Sequence, residues 1–416
     1  MTTQTNEFSI PAVLDAAHRQ VTVGTEPMIF HCHHYNTFLQ RTIQDADYID
    51  SRGFLIGAAA EVAFNQMMHC FAEAGLNDVP ARKAMAEQIY RWAGFGRIDL
   101  GPLDENGGTT STPNSHYSMA WKLKFGSNDT AVDLFTSGWL AGALAAIYDQ
   151  PLGSYQVEQT ACTAKGDLES AFQLRSGEAN YPVFLSVGGG RLTEHQLVTP
   201  PANNVDYDGI FSALTSMEIV GNDEGLIPAF GVYLTRHYAN YYNRISFEFE
   251  RKMTELFAAE GVSVAKPLLV EAGHVCAFNT FGGIMMSPEW DGLIKPTLKN
   301  DEDWVHGMTA AVNALGWGRW QIQELKKDDA TFVLHDDYEG VGYEAMYGKT
   351  DHDVAYLAAG AAAGIMDLVY VGDIQNRPTL DHAFYNRLFK SADSFKVETI
   401  SARSQGDATT TLRVYR

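Results

Sequence analysis

The chain has 416 residues, 45% of them apolar, enough to bury one large core or two of medium size. Its 51 acidic residues stand against 30 basic ones, and no Lys/Arg run offsets the formal net charge of -21, so the surface repels nucleic acid and anionic membrane and neither is an expected partner. Residues 1–13 lack the basic-then-apolar pattern of a secretory signal. No apolar run is expected to span a membrane, and four cysteines (Cys32, Cys70, Cys162, Cys276) make no disulfide framework in a chain this long, so a reducing cytoplasm is the expected setting.

Taken in chain order, residues 54–74 are rich in Ala, Met, Val and Phe and predict a helix that ends at Gly75-Leu-Asn; residues 79–93 predict a second, with Pro80 near its start. Residues 95–100 and 317–325 follow Gly turns and predict strands. Residues 129–148 and 351–369 predict helices with Asp129 and Asp351 near their N-termini, where a carboxylate meets free N–H groups. Gly138/Gly142 and Gly360/Gly364 are spaced four apart on one face of each, which permits close approach of another element. Residues 155–163 and 169–174 flank Lys165-Gly-Asp as a hairpin, and residues 395–402 and 409–414 flank Gln405-Gly-Asp in the same way. Val187-Gly-Gly-Gly190 lacks the Walker ending and the dinucleotide spacing, so it reads as a glycine turn and no nucleotide cofactor is expected. Residues 226–257 read as one or two helices dense in aromatics (His237, Tyr238, Tyr241, Tyr242), which suit core packing or a pocket wall.

The chain carries an internal repeat. Gly94-Phe-Gly-Arg97 matches Gly316-Trp-Gly-Arg319 at an offset of about 222, and the same offset links Gly126 with Gly348, Gly138 with Gly360 and Gly142 with Gly364. Outer blocks follow at other offsets: His31-Cys-His-His-Tyr35-Asn-Thr-Phe38 with His274-Val-Cys-Ala-Phe278-Asn-Thr-Phe281, and Glu158/Gly166-Asp167 with Glu398/Gly406-Asp407. The expected organisation is copy one over 1–175, a connector over 176–244 and copy two over 245–416.

The order Gly-x3-Gly helix, strand with Glu, then Cys-x3-Gly-Asp-x2-Cys-x-Phe resembles the 4-vinyl reductase, or hydrocarbon-binding, domain. It stands as Gly138/Gly142, Glu158, Cys162, Gly166-Asp167, Ser170 and Phe172 in copy one, and as Gly360/Gly364, Glu398, Ala402, Gly406-Asp407, Thr410 and Leu412 in copy two. The resemblance implies an α+β fold: two tandem modules, each a small antiparallel sheet covered by helices, forming an intramolecular pseudo-dimer with a buried pocket for a small apolar or aromatic ligand. The family's paired cysteines imply a zinc site, but Ser170, Ala402 and Thr410 replace thiolates here, which leaves that site absent from copy two and doubtful in copy one.

The densest chemistry is His31-Cys-His-His34. On a strand, His31 and His33 share a face, and the matched His274 and Cys276 repeat that spacing, so the four form a candidate metal set for iron, zinc or copper, with His31 and His274 as candidate acid–base groups. Tyr35, Asn36, His116, Trp139, Phe278, Asn279 and Trp317 are candidate ligand contacts. Asn36-Thr and Asn279-Thr equally suit a helix start, and His335-Asp-Asp337 suits a solvated turn or a carboxylate–imidazole pair. The leading expectation is an enzyme acting on a small organic substrate at the junction of the copies by His- or metal-dependent redox or lyase chemistry. The alternative is a non-catalytic small-molecule binder, carrier or sensor; a third reading, a structural subunit, predicts an exposed apolar patch. Self-association into a homo-oligomer stays open.

Overall fold

The computed structural model describes residues 9–185 and 187–416. The described residues open with β1 (Ala12–Asp15), β2 (Gln20–Val23) and β3 (Glu26–Cys32), then α1 (His33–Asp45), α2 (Ser51–Glu73) and α3 (Val79–Trp92). Next come β4 (Gly107–Thr112), α4 (His116–Phe125), α5 (Leu134–Ile147), β5 (Tyr155–Ala161), β6 (Ser170–Ser176) and α6 (Tyr207–Thr215). The rest runs β7 (Ile227–Ala229), β8 (Val232–Tyr238), α7 (Ala239–Phe257), α8 (Gly261–Cys276), α9 (Gly282–Met285), α10 (Pro288–Leu293), α11 (Asp301–Val312), β9 (Arg319–Lys326), β10 (Asp329–His335), α12 (Tyr338–Tyr347), α13 (Tyr356–Met366), α14 (His382–Phe389), β11 (Lys396–Ser401) and β12 (Thr410–Tyr415). The described residues form a mixed α/β fold with three small sheets, ordered β1-β2-β3-β8-β7, β4-β6-β5 and β11-β12-β10-β9, in which the paired strands are antiparallel.

Both predicted hairpins form, and their turns place Gly166 and Gly406 at the same left-handed φ of 101°, a conformation that disfavours a side chain. Four expectations need correction. Residues 95–100 form no strand, because their backbone groups bond to other loops: Phe95 O accepts from His116 N–H, and Gly96 N–H donates to Gly225 O. The helix expected from Asp129 starts at Leu134, capped by Asp133, whose carboxylate accepts from Thr136 N–H at 2.9 Å. The helix expected from Asp351 starts at Tyr356. Residues 226–257 open with the hairpin β7–β8 before α7, since the backbone of Val232 to Tyr238 pairs with β3 on one side and β7 on the other.

The glycine pairs do what their spacing predicts. A Cβ on Gly138 would lie 2.0 Å from Ile56 O and one on Gly142 2.1 Å from Ala60 O, so α5 rests directly on the α2 backbone. Gly360 and Gly364 bring α13 onto α8 in the same way, against Val270 O and Ala277 Cβ. Among the described residues, beside a small cluster of Trp121, Val132, Cys162 and Ala164, a large apolar core joins residues of both glycine-packed pairs. Within it Arg244 makes a two-pronged ion pair with Glu61 at 2.7 and 2.9 Å, the pairing that a buried guanidinium requires.

Matched backbone geometry extends across the chain. β4 pairs with β6 from Gly107↔Arg175 to Thr112↔Ser170, and β10 pairs with β12 from Asp329↔Tyr415 to Leu334↔Thr410. The two hairpins bulge at the same place, between Gln159 and Ala161 and between Thr399 and Ser401. Cys162 N–H donates to Asp167 and Ala402 N–H to Asp407. The β3–β8 ladder is centred on Phe30↔Arg236, and the two centres bond crosswise: Phe30 N–H to Leu315 O, Arg236 N–H to Ala93 O.

The helical run Ala239–Met285 is long and apolar enough to cross a membrane by length and composition, its most apolar 18-residue window having a mean hydropathy of 1.2, contrary to the expectation that no such run exists. In the fold 67% of that window is buried by protein, and the run is broken at Ala258, whose φ is 50°.

Candidate functional site

β3 and β8 lie side by side at the centre of their sheet, and each feeds a helix, α1 and α7. This brings His31, Tyr35 and Asn36 against Thr235, His237, Tyr241 and Tyr242. The start of α4 adds His116 and Tyr117, the turn before β9 adds Trp317, and the start of α12 adds Tyr338. His31 is sandwiched between the rings of Tyr35, at 4.3 Å, and Trp317, at 4.8 Å, with Tyr242 edge-on. Together they make a buried chamber of close-packed histidine and aromatic rings.

Its hydrogen bonds fix the proton positions. Tyr238 N–H donates to His237 Nδ1, so the neutral ring carries its proton on Nε2, facing Tyr117 Oη at 2.9 Å. Asn36 Nδ2 donates to both Thr235 Oγ1 and His116 Nε2 at 3.0 Å, while its Oδ1 accepts from Tyr242 Oη at 2.6 Å. His116 Nδ1 must then carry the proton, and it has no partner. His31 Nδ1 faces Cys276 Sγ at 3.5 Å, and its Nε2 is also without a partner. Burial pushes all three imidazoles down, His31 and His237 well below the usual range and His116 to about 3, so they are neutral at physiological pH.

The structure therefore gathers His31, Tyr35, Asn36, His116, Trp317 and Cys276 from among the candidates, but not the rest. β3 ends at Cys32, so His33 and His34 belong to α1, and His31 and His33 share no strand face. His33 Nδ1 accepts from Tyr233 N–H. His274 and Cys276 lie on a helix, where residues two apart point to different sides. Cys276 faces His31, whereas His274 stacks on Phe389 and pairs with Glu271. Phe278 packs on Phe384 and Tyr385, and Trp139 donates to Tyr238 Oη. Asn279, on a π-helical segment, lines a separate surface groove of about 870 Å³ with His34 and Tyr233.

The β3–β8 ladder offers His31 a second correspondence besides the match with His274. His237 stands to Arg236, the centre of the ladder, as His31 stands to Phe30, and each is followed four residues on by a tyrosine, Tyr35 or Tyr241. The His-x3-Tyr spacing was the available signal. The remaining thiol of the resemblance, Cys162, is a small buried residue beside Ser118, and Ser170 Oγ donates to Ser118 Oγ. The region around His335-Asp-Asp337 is not a solvated turn: all three are buried, and Asp336 meets His18 and His195.

The chain matches no protein-family profile and no curated protein, so the 4-vinyl reductase resemblance rests on the sequence blocks alone. Among solved structures it is similar to the phenol-responsive sensory domain of the transcription activator PoxR with phenol, at 13% identity and a TM-score of 0.28, over 41% of this chain and 73% of that one.

Proposed function

We propose that the chain is a small-molecule-binding protein built from two related halves, and that its ligand is a small planar organic molecule with an oxygen acceptor, held in the histidine chamber. The observation that carries this reading is the pair of fully buried imidazole nitrogens without partners, on His31 and His116. An orphaned polar atom in the interior costs about 1–3 kcal/mol, which a ligand acceptor oxygen offsets. The rings of Tyr35, Trp317, Tyr242 and Tyr338 around His31 suit a flat partner.

The matched registers favour an ancestral duplication, with the second half opening at β7 and the connector shortened to about residues 177–226. The four free, buried cysteines suit a reducing cytoplasm. An enzymatic reading has one observation in its favour, the Cys276 thiol beside His31. Burial pushes that thiol up and His31 down, which keeps both neutral and weakens a thiolate–imidazolium mechanism.

The test is solvent extraction and mass spectrometry of the purified full chain, followed by calorimetric titration with phenol and other monocyclic aromatics. A co-purifying molecule, or saturable binding that His31→Ala and His116→Ala abolish, is the expected result. An empty wild-type chain that binds none of the panel overturns it.

A further inference from the structure

A second cluster lies outside the chamber, where the turn between β1 and β2, the connector and the end of β10 converge. It holds His18, His195 and Asp336, each offering one ligand atom, with those atoms within 4.8 Å of one another. His195 Nε2 lies 2.8 Å from Asp336 Oδ2, and the rings of His18 and His195 meet edge-on at 4.9 Å. Asp336 is fully buried, and the His195 side chain is only 6% exposed. We propose that these three side chains form a binding site for a single borderline divalent transition metal such as zinc or iron(II).

The donor set argues for this class. Two imidazoles and one carboxylate suit zinc or iron(II) better than the hard cations, which prefer oxygen alone, and leave further positions for water. Metal–ligand bonds of about 2.0–2.2 Å place neighbouring ligand atoms about 3 Å apart, so the cluster needs an inward shift of an ångström or so, and the His195–Asp336 edge is already at that spacing. The outer shell is also in place. Asp15 Oδ2 holds His18 Nδ1 at 2.7 Å, the carboxylate–histidine arrangement that fixes a ligand ring, and leaves Nε2 for the metal, which would replace its present 3.2 Å contact with Thr193 O. Asp336 adopts a left-handed φ of 50°, which Asp tolerates better than most residues, and its carboxylate meets Thr193 and His195 of the connector.

The three ligands come from three segments that are distant in sequence. Thr193 N–H and Oγ1 already donate to Asp336, and Val198 exchanges hydrogen bonds with Gln321 on β9. A metal here clasps the connector and the N-terminal hairpin onto the second half.

Cobalt(II) titration of the EDTA-treated full-length chain tests the site, since cobalt reports imidazole coordination by its visible absorption. Expected are one equivalent bound and displaced by zinc, loss of that equivalent in His195→Gln and Asp336→Asn, and at least about tenfold weaker binding in Asp15→Asn. His69→Ala, at an exposed histidine elsewhere, keeps wild-type binding. Zinc slows proteolysis within residues 187–205 of the wild type but not of His18→Gln, a variant on a partly exposed turn that decides the matter if the buried variants do not fold. A wild type with no equivalent bound at micromolar metal, or a His18→Gln protein that binds as the wild type does, overturns the site.

Discussion

Two histidine clusters in one chain have opposite characters. The central chamber holds His31, His116 and His237 with no carboxylate among their hydrogen-bond partners, walled by tyrosine and tryptophan, and burial holds all three neutral. The marginal cluster sets His18 and His195 against Asp15 and Asp336. Burial pushes the Asp336 carboxyl up, but hydrogen bonds from His195 and Thr193 outweigh it and hold the group below its ordinary value. The same side chain is thus a neutral, ring-shaped polar surface in one place and a partner for charge in the other. Histidine count alone says nothing of which; the neighbouring carboxylates decide.

Acidification separates the clusters by the largest effect. The chamber imidazoles are depressed in the folded state, so the unfolded chain binds protons first. Their stability is present above about pH 6.5 and is lost as pH falls toward the folded value, about 3 for His116, at about 1.4 kcal/mol per pH unit for each group. His335, lowered to about 4 by burial and by His195 and Arg319, adds a smaller share at the margin. Asp336, also depressed, supplies stability above the carboxylate range that is lost only below about pH 4. Chemical denaturation from pH 7 to 4.5 is expected to show a steep loss, flatter in His116→Gln and unchanged in slope in Asp336→Asn. Equal slopes in wild type and His116→Gln break the distinction.

Asn36→Ala comes next. Asn36 bridges His116, Thr235 and Tyr242, and truncating it strands His116 Nε2 and Tyr242 Oη and takes one of two bonds from Thr235 Oγ1. A loss of about 3 kcal/mol is expected, read from the urea midpoint at constant m-value. At the margin, Asp336→Asn places an amide near the Thr193 N–H donor. It is expected to cost about 1–2 kcal/mol and to speed cleavage of residues 187–205, with near-ultraviolet dichroism of the chamber aromatics unaltered.

The contrast also explains how much the sequence could tell. Helix α2, the hairpins around Gly166 and Gly406, and the Gly138/Gly142 contact were legible because periodicity, turn chemistry and small-residue spacing are local signals. The His31–Cys276 contact was half legible: both residues stood out as candidate ligands, but a shared strand face was the wrong geometry, since β3 ends at Cys32 and Cys276 lies on a helix. The β7–β8 hairpin was read as helix because its aromatics run on into α7 without a break. His195 and His18 carried no signal at all. Each stands alone in its segment, and only the path of the connector brings them to Asp336, a juxtaposition that no spacing rule encodes.

The smallest effect is the most discriminating. His18 is about a quarter exposed, on a tight turn between two short strands, with Asp15 on one nitrogen and Thr193 O on the other at 3.2 Å. Exposed pairs of this kind are worth little, and His18→Gln is expected to shift metal-free stability by no more than about 0.5 kcal/mol. The equivalent truncation inside the chamber, His237→Ala, removes the acceptor for Tyr238 N–H and the partner of Tyr117, and is expected to cost several times more. If thermal unfolding places His18→Gln and His237→Ala at the same cost, the two clusters are one structural core. If His18→Gln is silent in metal-free protein yet erases the stabilisation by zinc, the margin is a metal site on which the fold does not depend, whereas the chamber histidines serve the core as well as the ligand proposed there.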